Sequence, residues 1–99
     1  MQAPLAPNET LLKGDWVFES GNIRGDEVED RIGWLTSEKL VQIAIHPVYG
    51  AWEILYRDPS DGRFWELTFP HGEMQGGGPK QLQVIPRDVA VDKYQVDLI

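Results

Sequence analysis

The strongest constraint on the fold lies mid-chain, where two apolar runs, Trp52–Arg57 and Arg63–Phe69, flank Asp58-Pro59-Ser60-Asp61-Gly62. Both runs alternate with the period of two that belongs to a β-strand. Between them, Pro59 supplies a φ of about −65° and Asp61-Gly62 the left-handed residue that closes a hairpin. Trp52, Ile54 and Tyr56 share one face of the first strand, and Trp65, Leu67 and Phe69 share one face of the second. A loop of about five residues puts these two sets on opposite faces of the sheet. A sheet apolar on both sides needs a helix over one face and a different cover over the other.

The helix is found upstream. Asp26 and Glu29 have the spacing of a capping box, and Val28, Ile32 and Leu35 recur at i, i+4 and i+7, which predicts a helix over residues 26–37 with Ile32, Leu35 and Trp34 toward the core. Leu40 to Ile45 fits two readings: Leu35, Lys39 and Ile43 would extend the helix by two turns, whereas the β-branched content decides for a strand. Trp16–Ser20 reads as a strand that turns at Gly21-Asn22 into Ile23, and His46–Gly50 reads as a turn. Pro70–Pro79 has four Gly and two Pro in ten residues and is an irregular loop. Gln81–Ile85 is a last strand, Pro86–Tyr94 a short helix and Val96–Ile99 a docked tail. At the other end, two Pro within residues 1–7 predict an extended arm, and Asn8 caps a short turn through Leu11–Lys13 that Gly14 ends in the left-handed conformation. The expected architecture is α+β: a small, mostly antiparallel sheet with one main helix packed on one face and a short C-terminal helix. Residues 1–10 form a flexible N-terminal arm and 11–99 a single domain, since 99 residues leave room for one core.

Charge narrows the function. Nine Lys and Arg against sixteen Asp and Glu give a net charge of −7, which repels nucleic acid and anionic membranes and favours a basic protein partner. No Cys is present, so disulfides, thiolate nucleophiles and zinc–thiolate sites are excluded. Met1–Pro7 has no basic or apolar leader character, and no run approaches the roughly 18 apolar residues of a membrane span, so the chain reads as cytoplasmic.

Catalytic patterns fail one by one. His46 and His71 lack a helical i, i+4 partner, and His71-Gly72-Glu73 imitates a zinc deaminase motif without its thiolates. The Asp58 loop resembles a calcium loop, but its Gly is fifth instead of sixth, and Phe69 occupies the position of the bidentate carboxylate. Gly76-Gly77-Gly78 is not followed by the Lys-Ser or Lys-Thr of a phosphate loop. Glu53, Glu66 and Glu73 are the remaining pair-forming carboxylates, too few in a chain of this size to carry an enzyme reading. The four acids of Asp26 to Asp30 suit a helix N-terminus before they suit a metal. The expectation is therefore a protein with no catalytic residue, no metal and no cofactor.

The stretch Leu55-Tyr-Arg-Asp-Pro-Ser-Asp-Gly-Arg-Phe-Trp-Glu-Leu-Thr-Phe-Pro70 with Glu73–Pro79 resembles the immunity protein 27 family of bacterial polymorphic toxin systems. Leu12–Trp16, Gly25-Asp26-Glu27, Arg31-Ile32, Trp34-Leu35 and Lys93-Tyr94 extend the similarity over roughly residues 11–94. Lys80 departs from it where a second Pro is expected, and Gly33 where a helix former is usual. The resemblance implies an inhibitor that binds a cognate toxin domain and protects the producing cell; it does not imply which toxin, and the acidic charge suits a basic nuclease. A small acidic adaptor with an unknown partner is the alternative. A monomer is favoured over an oligomer.

Two sets of residues are candidates for the site. The toxin-binding set joins the acids Glu27, Glu29 and Asp30 to the apolar anchors Tyr56 and Phe64 and to the loop residues His71, Glu73, Met74, Gln75, Gly76, Gly77 and Gly78. The second set, Asp58, Asp61, Gly62, Arg63, Trp65 and Glu66, carries the resemblance and is expected to hold the hairpin. In it Arg63 or Arg57 pairs with Glu66, and Asp58 forms an Asx turn.

Overall fold

The computed structural model describes residues 2–70 and 78–97. Strands β1 (Leu11–Lys13), β2 (Trp16–Glu19) and β3 (Asn22–Gly25) precede helix α1 (Glu27–Trp34). Strands β4 (Val41–His46), β5 (Gly50–Arg57), β6 (Phe64–Thr68) and β7 (Gln81–Ile85) follow, and helix α2 (Arg87–Tyr94) comes last. Five strands form one antiparallel sheet in the order β1-β7-β6-β5-β4, while β2 and β3 make a separate two-stranded ribbon. The fold class is α+β, as the hydrophobic periods imply.

Register settles how the sheet is covered. Arg57 pairs with Phe64, so the hairpin loop has six residues, 58–63, and Arg63 belongs to the loop instead of the strand. That one residue reverses the parity. Tyr56 lies opposite Trp65 and Ile54 opposite Leu67, which puts the two apolar sets on the same face and corrects the sequence expectation. This face packs against α1 in a core of Leu12, Ile32, Leu35, Leu40, Tyr56, Trp65, Leu67 and Leu82, with Val28 and Trp34 at its margin. The other face is apolar through different residues. Leu55, Phe64 and Ile85, with Ile43, Ala44 and Val96, pack against Ala90 and Tyr94 of α2.

Asp26 caps α1 by accepting from the Glu29 amide at 2.8 Å. Only this half of the capping box forms, because the Glu29 side chain turns away to Lys80. The predicted helix extends past Trp34 as one π-helical turn, Leu35–Lys39, which ends as the Leu40 amide reaches the Leu35 carbonyl at 2.8 Å and the chain enters β4. Leu40–Ile45 is thus resolved in favour of the strand.

The turn expected at Leu11–Lys13 is instead β1, paired with Gln81–Gln83 of β7. Gly14 keeps an ordinary φ and serves as a close-approach position, since a Cβ there would strike the Glu29 carboxylate. Upstream, Arg31 bonds the carbonyls of Ala3 and Pro4 as well as the Glu9 carboxylate, and Arg63 bonds the carbonyls of Ala6 and Glu9.

Candidate functional site

Most of the residues that carry the family resemblance have partners within the fold. Glu29 is buried, and its two carboxylate oxygens accept from the Lys80 amide at 2.8 Å and the Lys80 ammonium at 2.9 Å. The Gly14 amide donates to the Lys80 carbonyl at 2.8 Å, which ties β1, α1 and the approach to β7 together. Lys80, a departure from the expected Pro, thus supplies an N–H that Pro lacks.

The hairpin loop is built much as its chemistry requires. Asp58 accepts from the Ser60 amide and hydroxyl, the expected Asx turn, and Gly62 adopts a φ of +80°. Among the described residues neither Arg63 nor Arg57 pairs with Glu66, contrary to expectation. The Arg63 Nε pairs with Asp61 at 2.6 Å, and its guanidinium lies 5.0 Å from the centre of the fully buried Trp65 ring. The Arg63 amide and guanidinium hold the Asp61 carboxyl below its usual range.

Glu66 works on the opposite face of the sheet. It accepts from the Tyr94 hydroxyl at 2.8 Å and pairs with Lys93 at 2.5 Å, and Lys93 also reaches Glu53 at 2.6 Å. Burial, then the bond to Glu66, pushes the Tyr94 phenol far above its ordinary range. Burial opposes the charge on Lys93, but the bonds its ammonium donates to Glu53 and Glu66 outweigh it and raise its pKa. Lys93-Tyr94 is therefore the clasp that holds α2 on the sheet.

The toxin-binding set is dispersed. Glu27 and Asp30 are exposed on the first turn of α1, whereas Glu29 is spent on Lys80. Tyr56 is a core residue and Phe64 packs beneath α2, so neither is free to anchor a partner. Gly78 is buried with a φ of +73°. His71, Glu73, Met74, Gln75, Gly76 and Gly77 lie outside the described residues.

A different surface meets the physical criteria for a partner site. From Leu40 to Trp52, thirteen consecutive residues include no Asp, Glu, Lys or Arg, in a chain that is 25% charged. A buried strand pair would explain such a run, but apart from Leu40 these residues are not buried. Val41, Ile45, Val48, Tyr49 and Trp52 are all exposed, Val48 at 79% and Trp52 at 53%. The turn is held from inside: His46 Nδ1 accepts from the Val48 and Tyr49 amides at 3.0 and 3.1 Å, and its ring stacks on Tyr49 at 4.7 Å. That arrangement projects Val48 and Tyr49 outward. Trp52 meets Phe69 edge-on at 5.2 Å, and a pocket of about 640 Å³ opens among Val48, Tyr49, Trp52, Phe69 and Pro70, with Glu53 and Thr68 as its polar members. Exposed apolar side chains that include Trp and Tyr are of the kind that protein interfaces use as anchors.

A second pocket, of about 690 Å³, lies at the far end of the same hairpin, lined by Arg57, Arg63 and Arg87 with Asp97. Arg63 is already committed to Asp61 and the backbone, and Asp97 offsets part of the remaining charge.

Residues 18–86 match the family model described as immunity protein 27. No curated protein and no solved structure matches.

Proposed function

The chain belongs to the immunity protein 27 family, and from that premise we propose that it binds the toxin domain of a bacterial polymorphic toxin system and blocks it, sparing the cell that makes both. The family match carries this reading. The exposed apolar surface around Val48, Tyr49 and Trp52 supports it, because an inhibitor that acts by binding needs desolvated anchors, not catalytic groups. The inhibitor works without catalysis and in the cytoplasm. Among the described residues no helix is long and apolar enough to cross a membrane.

The net charge of −7 suits a basic toxin, and a nuclease, which must itself attract phosphate, is the natural case. The net negative charge accelerates encounter with such a toxin, and the apolar anchors then set the lifetime of the complex.

The test is co-expression with the toxin domain encoded beside this chain's gene. Protection of the cells and co-purification of the two chains are expected. Cells that die with both chains soluble and expressed would reject the reading.

A further inference from the structure

The two edges of the five-stranded sheet are finished differently. β1 is three residues long, includes Lys13, and continues from a segment whose Thr10 carbonyl accepts from Val84 of β7 at 2.9 Å. It is a short edge that carries a charge. β4 is six residues long, contains neither charge nor Pro, and pairs with β5 on one side only. Among the described residues, no chain segment pairs with its other side. Stable proteins shield such edges with charges, Pro or a covering segment, because an open row of amides and carbonyls templates another strand.

We infer that the outer edge of β4 receives a strand of the toxin domain, extending the sheet to a sixth strand. This rests on the immunity reading and assigns its binding mode. The irregularity between Gln42 and Ala44 shifts the side-chain phase, so Val41 lies beside Arg57 on the α2 face while Ile45 lies beside Ile54 on the α1 face. Both are exposed, at 51% and 47%, so an added strand meets an apolar neighbour on each of its faces. Past the end of β4 the same surface runs on into Val48, Tyr49 and Trp52, which receive whatever follows that strand. Main-chain bonds then supply affinity, and the flanking side chains supply selection.

Charge decides the occupant. A second copy of this chain would bring −7 against −7, whereas a toxin strand with Lys or Arg beside its apolar residues is drawn to an uncharged edge on a chain of net charge −7.

The experiment uses the full chain and a catalytically inactive form of the toxin domain encoded beside its gene. The edge variant is Val41→Lys with Ile45→Lys, and Val89→Lys with Val91→Lys makes the same charge change on exposed positions of α2. With melting temperatures of both variants near that of the parent, the edge variant should bind at least tenfold more weakly and the α2 variant as the parent does. Amide exchange in the complex should slow along Val41–His46. If the parent binds but the edge variant binds equally well, or β4 amides exchange as in the free chain, the docking mode is wrong and the immunity role stands. A parent that binds no toxin removes the immunity reading and this one with it. A free chain that sediments as a dimer released by the edge variant assigns the edge to a second copy and overturns the proposal.

Discussion

Lys80 and Glu29, 51 residues apart, meet twice: the Lys80 amide donates to one carboxylate oxygen and its ammonium to the other. Backbone and side chain of one residue thus satisfy a buried acid in the first turn of α1. Glu29→Ala leaves the Lys80 amide without its acceptor and should cost about 1–3 kcal/mol. Glu29→Gln retains an acceptor and should cost less. Equilibrium denaturation of both variants checks the order, and a loss as large for Gln as for Ala would show that the charge, not the amide bond, is what matters.

The Tyr94–Glu66–Lys93–Glu53 network predicts an alkaline limit to stability. The Tyr94 phenol and the Lys93 ammonium both have pKa values raised by folding. A group raised in the folded state contributes its full stability below its unfolded pKa and loses it as pH climbs toward the folded value. Stability should therefore fall from about pH 10 upward. Tyr94→Phe removes the phenol's share, so its melting temperature should be lower than the parent's at neutral pH and decline less steeply above pH 10. Parallel pH profiles for the two proteins would contradict this.

How much of this was legible in one dimension can be traced residue by residue. Period-two and 3.6-residue patterns locate α1 and the strands β2, β3, β5, β6 and β7, because hydrophobic spacing is a local property, whereas the three residues of β1 are too few to show a period. The face of each strand was not legible, since it turned on whether Arg63 closes the loop or opens β6, and its carbonyl bond to the Asp58 amide belongs to the loop. Glu29 read as a surface acid because its partner is far away in sequence. The uncharged run Leu40–Trp52 is visible in the sequence, yet a buried strand pair leaves the same trace, and only exposure separates the two readings.

Two glycines should respond in opposite directions to Ala. A Cβ at Gly33, near the end of α1, meets nothing within 4 Å, so Gly33→Ala should stabilise by about 0.5–1 kcal/mol through helix propensity. Gly62 has a φ of +80°, and its Cβ would meet only the Arg57 guanidinium at 3.8 Å. Gly62→Ala is therefore destabilised by conformation alone, by about 1 kcal/mol. In a chain of this length each should shift the melting temperature by roughly 2–8 °C. Shifts of the same sign would refute one of the two assignments.

Trp52 should separate binding from folding. Its ring meets Phe69 edge-on but is 53% exposed, so Trp52→Ala should lower stability by about 1 kcal/mol or less. As an anchor of the proposed surface, its loss should weaken toxin binding by about 2 kcal/mol or more, mostly through faster dissociation. Calorimetric titration and thermal melting of one preparation give both numbers. A variant that binds as the parent does removes Trp52 from the interface.

Glu9 ties the chain's beginning to its acid stability. Its carboxylate receives two bonds from the Arg31 guanidinium at 2.7 Å and one from the Ala6 amide at 2.8 Å. Chiefly through the Arg31 bond, these hold its pKa at about 2, against 4.5 for a free Glu. A carboxyl lowered by folding contributes its stability above the unfolded pKa and loses it as pH falls through the folded one, so the window is roughly pH 4.5 down to 2. The pair is partly exposed, and screening reduces its worth to the order of 1 kcal/mol. Arg31 also holds the Ala3 and Pro4 carbonyls, so Arg31→Met should free the segment before β1 as well as return Glu9 toward its ordinary pKa. Glu9→Gln, in contrast, should lower stability at pH 7 while leaving those two carbonyl bonds in place. Both variants should lie below the parent at neutral pH; Glu9→Gln should converge on it by about pH 2, whereas Arg31→Met, lacking the Ala3 and Pro4 bonds, should stay below it. If the difference between parent and Glu9→Gln is the same at pH 7 as at pH 2, the Glu9 charge does not fasten this segment.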